Sequence, residues 1–268
     1  MTTTHPIRRG AIRRRAIRRR GLIATLVAAD LRRVTRDPLM AGIIAAPLAV
    51  ALIFRFAVPD AETLQATLAA YLGQDGGAAA ARAAPVLLMS LLTAIAPGLV
   101  GAVYGLLIVG ERDERTLMAL RVMPVSFARY VAARLFTPLA FSVGVTIIAY
   151  PVAGLAPLPI ATVALIAVVN AVSAPVVALA MATFARNKMA ALAVMRVANS
   201  ILALPVLAYF AVPPMLYLAW LSPAYWQMKA LWLAADTLPF LGTLAVAAAM
   251  NVLLLVLLYS RFERQGET

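Results

Sequence analysis

The sequence predicts an all-α, polytopic membrane protein: six transmembrane helices, an N-terminal interfacial helix, and a re-entrant or interfacial segment before the last span. Three observations predict it. Of the 268 residues, 63% are hydrophobic and only 13% charged, a balance that soluble domains do not carry. The apolar residues fall in runs of about 20, the length a helix needs to cross roughly 30 Å of hydrocarbon. Lys and Arg gather at alternate connections between those runs, as topology signals do.

Residues 1–20 form a basic tail with a small internal repeat, PIRRG-AIRRR-AIRRR. Like charges at this density resist folding alone. The tail reads either as a topology signal or as an attraction for anionic lipid headgroups, about 1 kcal/mol per Arg near the surface. Nucleic acid is not the expected partner, because no aromatic residue is interleaved for base stacking. The stretch RRRGLIATLVAAD mimics a signal peptide, but its apolar run is very short and the pattern continues through Asp30. Residues 21–37 read instead as an amphipathic helix. Leu22, Ile23, Leu26, Val27, Leu31 and Val34 fall on one face, with Thr25, Arg32, Arg33 and Arg36 opposite. The step Arg36-Asp37-Pro38 breaks it and turns the chain into the membrane.

The transmembrane domain covers residues 38–260, with spans at about 38–58, 85–109, 130–153, 158–183, 190–212 and 238–260. Arg55 sits near the outer end of the first span, where it can snorkel. Arg8 through Arg36, the 111–129 connection, Arg186, Lys188 and Arg196, and Arg261 and Arg264 all lie on one side. Residues 59–84 and 213–237 on the other side carry few cations. Both termini, including a short tail at 261–268, are therefore expected in the cytoplasm of a multi-pass plasma-membrane protein. Within 213–237, Pro213-Pro214 stops the fifth span and Ser222-Pro223 reads as a helix start. Tyr225, Trp226 and Trp232 suit an interfacial or re-entrant helix.

A charged island, GERDERTLMALRVMPVSFARYVAARL at residues 110–135, separates the second span from the third. Glu111, Arg112, Asp113, Glu114 and Arg115 are consecutive, and at the bilayer centre each would cost about 2.5–3.5 kcal/mol. The island therefore lies outside the hydrocarbon. Glu111 and Arg115 stand four apart and can pair on a helix. Leu117, Leu120 and Arg121 follow at helical spacing, Pro124 ends the segment, and Ser126 is placed to cap the next helix. The residues alone leave two readings open, a solvated loop or a docking element for a soluble partner.

These residues carry a resemblance. The pattern E-[KR]-x-x-x-T-L-x-x-L-x-x-x-P, here Glu111, Arg112, Thr116, Leu117, Leu120 and Pro124, resembles the segment between the second and third spans of type-two ABC exporter permeases. Arg129 and Arg134 follow where the third span begins, and Arg115 replaces a glycine common just before the Thr. The resemblance covers most of the chain. It makes residues 21–37 an elbow helix and residues 213–237 the re-entrant helices before the last span. It implies two permease subunits, identical or related, paired with two ATPase subunits that hold ATP and Mg; this chain needs no cofactor of its own. The coupling segment, 110–126, would sit in a groove of the ATPase. Glu111, Arg112, Glu114, Arg115, Thr116, Leu117, Leu120, Arg121 and Pro124 are its candidate coupling residues. The cargo path would lie between the permease subunits, along spans two and five. Ser90, Thr93, Tyr104, Asn199 and Tyr209 are the polar candidates there, each also explicable as a helix-packing group.

Other chemistry is scarce. The chain has no Cys, and its one His, His5, lies in the tail. No carboxylate falls inside a predicted span, which weakens an ion-coupled secondary transporter. A G-x-x-x-x-G-K-[ST] loop, an H-E-x-x-H and a G-x-S-x-G are all missing from the sequence, so it does not read as an enzyme. The expected function is export of an amphiphilic or hydrophobic cargo (drug, antibiotic or lipid-like), driven by a separate ATPase. An ion-coupled transporter or a non-transport scaffold or immunity subunit are the alternatives.

Overall fold

A computed structural model describes residues 36–113, 127–211 and 213–267, and among these every regular element is helical. Residues 1–35 and the island residues 114–126 lie outside the described residues. With them lie the amphipathic face of the expected elbow helix and most of the coupling segment.

Helix α1 spans Pro38–Ala57. Asp37 caps it, its carboxylate accepting from the Met40 amide at 3.3 Å, and Pro38 needs no donor at this position. The break expected at Arg36-Asp37-Pro38 is thus a helix cap. Helix α2 runs from Ala61 to Asp113 and is broken once, at Gly73, whose φ of 77° and ψ of 167° are not helical. A Cβ on Gly77 would meet the Ala69 backbone nitrogen at 2.4 Å. In a straight helix those residues would lie about 12 Å apart along the axis. The chain therefore folds back on itself at Gly73. Residues 59–84, expected only as a connection, form a helical hairpin. Asp60 starts it by accepting from the Thr63 amide at 3.2 Å and hydroxyl at 2.7 Å, bonds that hold its carboxyl below the usual carboxylate range.

Helix α3 spans Phe127–Ala153. The fourth span is two helices, α4 at Ile160–Ala171 and α5 at Ser173–Phe184, with a jog at Val172. Pro175 explains the jog: its ring crowds the Ala171 carbonyl and supplies no N–H to it. Helix α6, Lys188–Ala203, starts at Asn187, whose side chain accepts from the Ala190 amide at 2.8 Å. The fifth span then tightens into a 3₁₀ stretch, Leu204–Tyr209, ending short of Pro213. Two short helices follow, α7 at Met215–Trp220 and α8 at Pro223–Trp232. The α8 start expected at Ser222-Pro223 is present, but Ser222 makes no capping hydrogen bond. Helix α9 spans Thr237–Glu267, so residues 261–267, expected as a tail, continue the last helix.

Six of these segments are long and apolar enough to cross a membrane, from Met40–Ala57 to Thr237–Arg264. Their outward faces form an apolar coat, including Leu52, Phe136, Leu165, Val197, Leu253 and Val256. Water would penalise such a surface, and hydrocarbon does not. The centre of the bundle is α2. From Val100 to Val109 every residue is buried, the mark of a helix enclosed on all sides. Small residues permit this. A Cβ on Gly101 would meet the Ala174 carbonyl oxygen at 2.2 Å, and one on Gly105 the Met181 sulfur at 2.6 Å. Here α2 and α5 touch almost backbone to backbone.

Gly101→Leu should therefore destabilise the protein by about 2 kcal/mol or more. In contrast, Gly144→Leu, where a Cβ would meet nothing within 4 Å, should be silent. Thermal unfolding in mild detergent checks this, with a melting point lowered by several degrees for the first variant and unchanged for the second.

Candidate coupling site

Five of the spans meet where the charged island joins the bundle. Glu111 ends the buried stretch of α2, and Arg134 lies one and a half to two turns into α3. The two side chains form a salt bridge although both residues are buried, at 6% and 8% exposure. Neither charge would be tolerated there alone; each makes the other's burial possible. Arg112 turns the other way. Its guanidinium donates to the Ala182 carbonyl at 3.1 Å and to the Ala185 carbonyl, both at the end of α5. Those are carbonyls that a helix C-terminus leaves without intrahelical partners, and a cation suits them. Lys188 begins α6 and lies over Gly110, where a Cβ would meet its Cε at 3.0 Å.

Consecutive residues of one helix end thus tie α2 to α3 through Glu111, to α5 through Arg112, and approach α6 at Gly110. The last helix closes the set. Phe262 of α9 packs with Ile108, Leu179 and Ala182, and the Arg261 guanidinium lies 5.2 Å from the Phe184 ring centroid. Glu111 pairs with Arg134, 23 residues away. Arg115, the partner expected from helical spacing, lies outside the described residues. So do Glu114, Thr116, Leu117, Leu120, Arg121 and Pro124. The Glu111–Arg134 bridge pins together the two points from which that segment leaves and rejoins the bundle.

The five expected cargo-path residues do not gather in one place. Ser90 donates to the Val86 carbonyl at 2.7 Å and accepts from the Trp232 indole at 2.8 Å. Tyr209 stands edge-on to the same Trp232, with ring centroids 5.0 Å apart. These two therefore share a partner. Thr93 lies one turn deeper, its hydroxyl bonded to the Ser90 carbonyl at 3.1 Å. Tyr104 is buried in an apolar cluster with Val100, Val103 and Ala178. Asn199 faces Gly98 of α2, where a Cβ would meet its Oδ1 at 2.3 Å. Its amide donates to the Met195 carbonyl at 3.1 Å, and the oxygen is buried without a partner.

A polar set that the sequence reading passed over lies in the same core. Pro97 leaves the Thr93 carbonyl without its helical donor, and the Asn170 side-chain amide supplies one at 3.3 Å. One turn on, Ser173 bonds Asn251 of α9 at 3.1 Å and accepts from Gln227 of α8 at 2.8 Å. These bonds fix α8 against spans four and six. Asn170 and Asn251 were visible as amides inside apolar runs; nothing in the sequence joined them to Gln227.

Comparison with known proteins adds the family. Residues 30–259 match the family described as "Fluoroquinolones export permease protein Rv2686c-like". Two relatives from Mycobacterium tuberculosis strains, the fluoroquinolones export permease proteins Rv2686c and MT2760, are each 27% identical over 235 residues. Those alignments cover 87% of this chain and 90% of each relative. The match agrees with the resemblance to exporter permeases carried by Glu111, Arg112, Thr116, Leu117, Leu120 and Pro124. The chain is a multi-pass membrane protein and belongs to the Rv2686c-like family of export permease proteins.

Proposed function

We propose that this chain is the membrane subunit of an ATP-driven exporter that moves an amphiphilic antibiotic-like cargo out of the cytoplasm. The observation that carries the reading is the buried Glu111–Arg134 bridge at the root of the charged island. An ordinary surface loop needs no buried salt bridge beneath it, because desolvating two charges is costly. A segment that must deliver force does need a stiff root, or its movement is lost in the hinge. The family's names supply the kind of cargo, and the apolar spans suit it.

In this reading, segment 110–126 docks on a soluble ATPase, two copies of which serve two permease subunits, either two copies of this chain or this chain with a related one. ATP and Mg bind on the ATPase. Closure of the ATPase pair pushes the segment, and the Glu111–Arg134 bridge moves α2 and α3 as one body. Arg112 and the α5 carbonyls pass the displacement to the fourth span. The asymmetry of Lys and Arg puts this end, with both termini, on the cytoplasmic side. Glu114, Arg115 and Arg121 are the charged docking contacts, and Leu117 and Leu120 pack at the segment's base.

Two experiments test this. Arg115→Glu should lower recovery of the ATPase with the tagged protein at least about tenfold, since like charges brought together at an interface cost several kcal/mol. Membrane insertion should stay normal; unchanged ATPase recovery would remove the docking role. Because the chain has no cysteine, single replacements also report topology cleanly. Asp75→Cys and Arg186→Cys both place the thiol at an exposed position. An impermeant maleimide should label the first in intact cells and the second only after permeabilisation; the reverse pattern would invert the orientation.

A further inference from the structure

Beyond the coupling end, the most unusual chemistry lies at the opposite end, around α8. All three tryptophans of the chain, Trp220, Trp226 and Trp232, fall within 13 consecutive residues. Their rings are not scattered. Trp226 donates its indole N–H to the Trp220 carbonyl at 2.9 Å, and the two rings lie 6.2 Å apart at 47°. Tyr225 stands edge-on to Trp226 at 5.4 Å and to Trp232 at 6.1 Å. Three separate elements, the 3₁₀ stretch, α7 and α8, thus hold one aromatic cluster. The buried face of α8, with Tyr225, Gln227, Met228 and Leu231, fixes it to the bundle.

One charge sits in this cluster. Lys229 follows Trp226 by three residues and Tyr225 by four, so all three share one side of α8. Its ammonium lies 5.4 Å from the Trp226 ring centroid and 5.6 Å from that of Tyr225. No carboxylate among the described residues forms a salt bridge with it. Ring faces partly satisfy a cation but leave its full charge uncompensated. Trp220, 40% exposed, offers an open aromatic surface next to Trp226. An ammonium held on aromatic faces, beside a further exposed indole, is complementary to a planar ring that bears an anionic group.

We propose that Trp220, Trp226 and Lys229 form a binding site for planar aromatic carboxylates on the side of the membrane away from the coupling segment. The ring stacks on the indoles, and the carboxylate pairs with the Lys229 ammonium. This deepens the export reading and rests on it for the site's purpose: the cargo would meet this site as it leaves. The binding itself requires no ATPase.

The protein supplies its own probe, because every tryptophan lies in the cluster and intrinsic fluorescence reports on it alone. Quinoline-3-carboxylate is titrated into the purified full-length protein in mild detergent, with the neutral quinoline-3-carboxamide as the charge control. Saturable quenching by the carboxylate is expected, at least tenfold tighter than by the amide. Lys229→Met should remove that preference and leave amide binding unchanged, and Lys229→Arg should retain it. Equal binding of carboxylate and amide, or an unaltered preference in Lys229→Met, would overturn the proposal. So would a wild-type protein that ignores the carboxylate while losing bound phosphatidylglycerol on Lys229→Met, which would make Lys229 a lipid-phosphate anchor. Circular dichroism checks that each variant is folded, and Trp226→Leu, which should weaken both ligands, gives a second reading if one is not. Co-purification of the ATPase is scored separately, so a failed site and a failed exporter reading give different results.

Discussion

A carboxylate and a guanidinium that cannot be buried separately hold the bundle together where its charged segment begins. Removing either member of a buried pair typically costs about 3–5 kcal/mol, because the survivor is left uncompensated. Replacing both with apolar groups can cost little. Glu111 and Arg134 are therefore poorly explained as a source of net stability. They are better explained by the geometry they impose: a fixed separation between the end of α2 and the start of α3. Arg112 extends that constraint to the carbonyls of α5. The remainder of this end, Ile108, Leu179 and Phe262 included, packs around the fixed frame.

From this frame α2 runs through the bundle as a single buried rod. Glu111 and Ser90 are separated by about 32 Å of unbroken helix at 1.5 Å per residue. Pro97 lies between them and would weaken the rod by freeing the Thr93 carbonyl, but Asn170 rebinds it. Gly101 and Gly105 hold the rod against α5 at close range. At the far end, Ser90 accepts from Trp232, and Trp232 belongs to the aromatic cluster that contains Lys229. One continuous element therefore connects the proposed force-receiving end with the proposed cargo site. Packed, hydrogen-bonded contacts of this kind have discrete arrangements rather than a continuous range, which suits a transporter that alternates between states.

Local rules reached some of this and not the rest. Apolar runs placed all six spans, because a hydrophobic length is a local property. Ser222-Pro223 was readable as a helix start for the same reason, whereas Arg36-Asp37-Pro38 was read as a break and is a helix cap. Residues 59–84 were read only as a connection; the hairpin depends on the reversal at Gly73 and on Gly77 admitting the Ala69 backbone, a close approach of two helical arms that hydrophobic periodicity does not report. Glu111 was legible as charged and important, and Arg134 as the start of a span. Their pairing joins residues on either side of an intervening segment, whereas helical spacing pointed to Arg115. The Ser173–Asn251–Gln227 set eluded the reading for the same reason: three helices contribute one residue each.

The most direct test of the coupling role exchanges the two charges of the bridge. Glu111→Arg, Arg134→Glu and the double exchange would be reconstituted in vesicles with the co-purifying ATPase, and stimulation of ATP hydrolysis by cargo measured against the amount of ATPase bound. If the bridge transmits the movement, each single reversal abolishes stimulation while the ATPase stays bound, and the double exchange restores at least half of it. Full stimulation in the single variants would contradict that role, as would a stably inserted double variant no better than either single one.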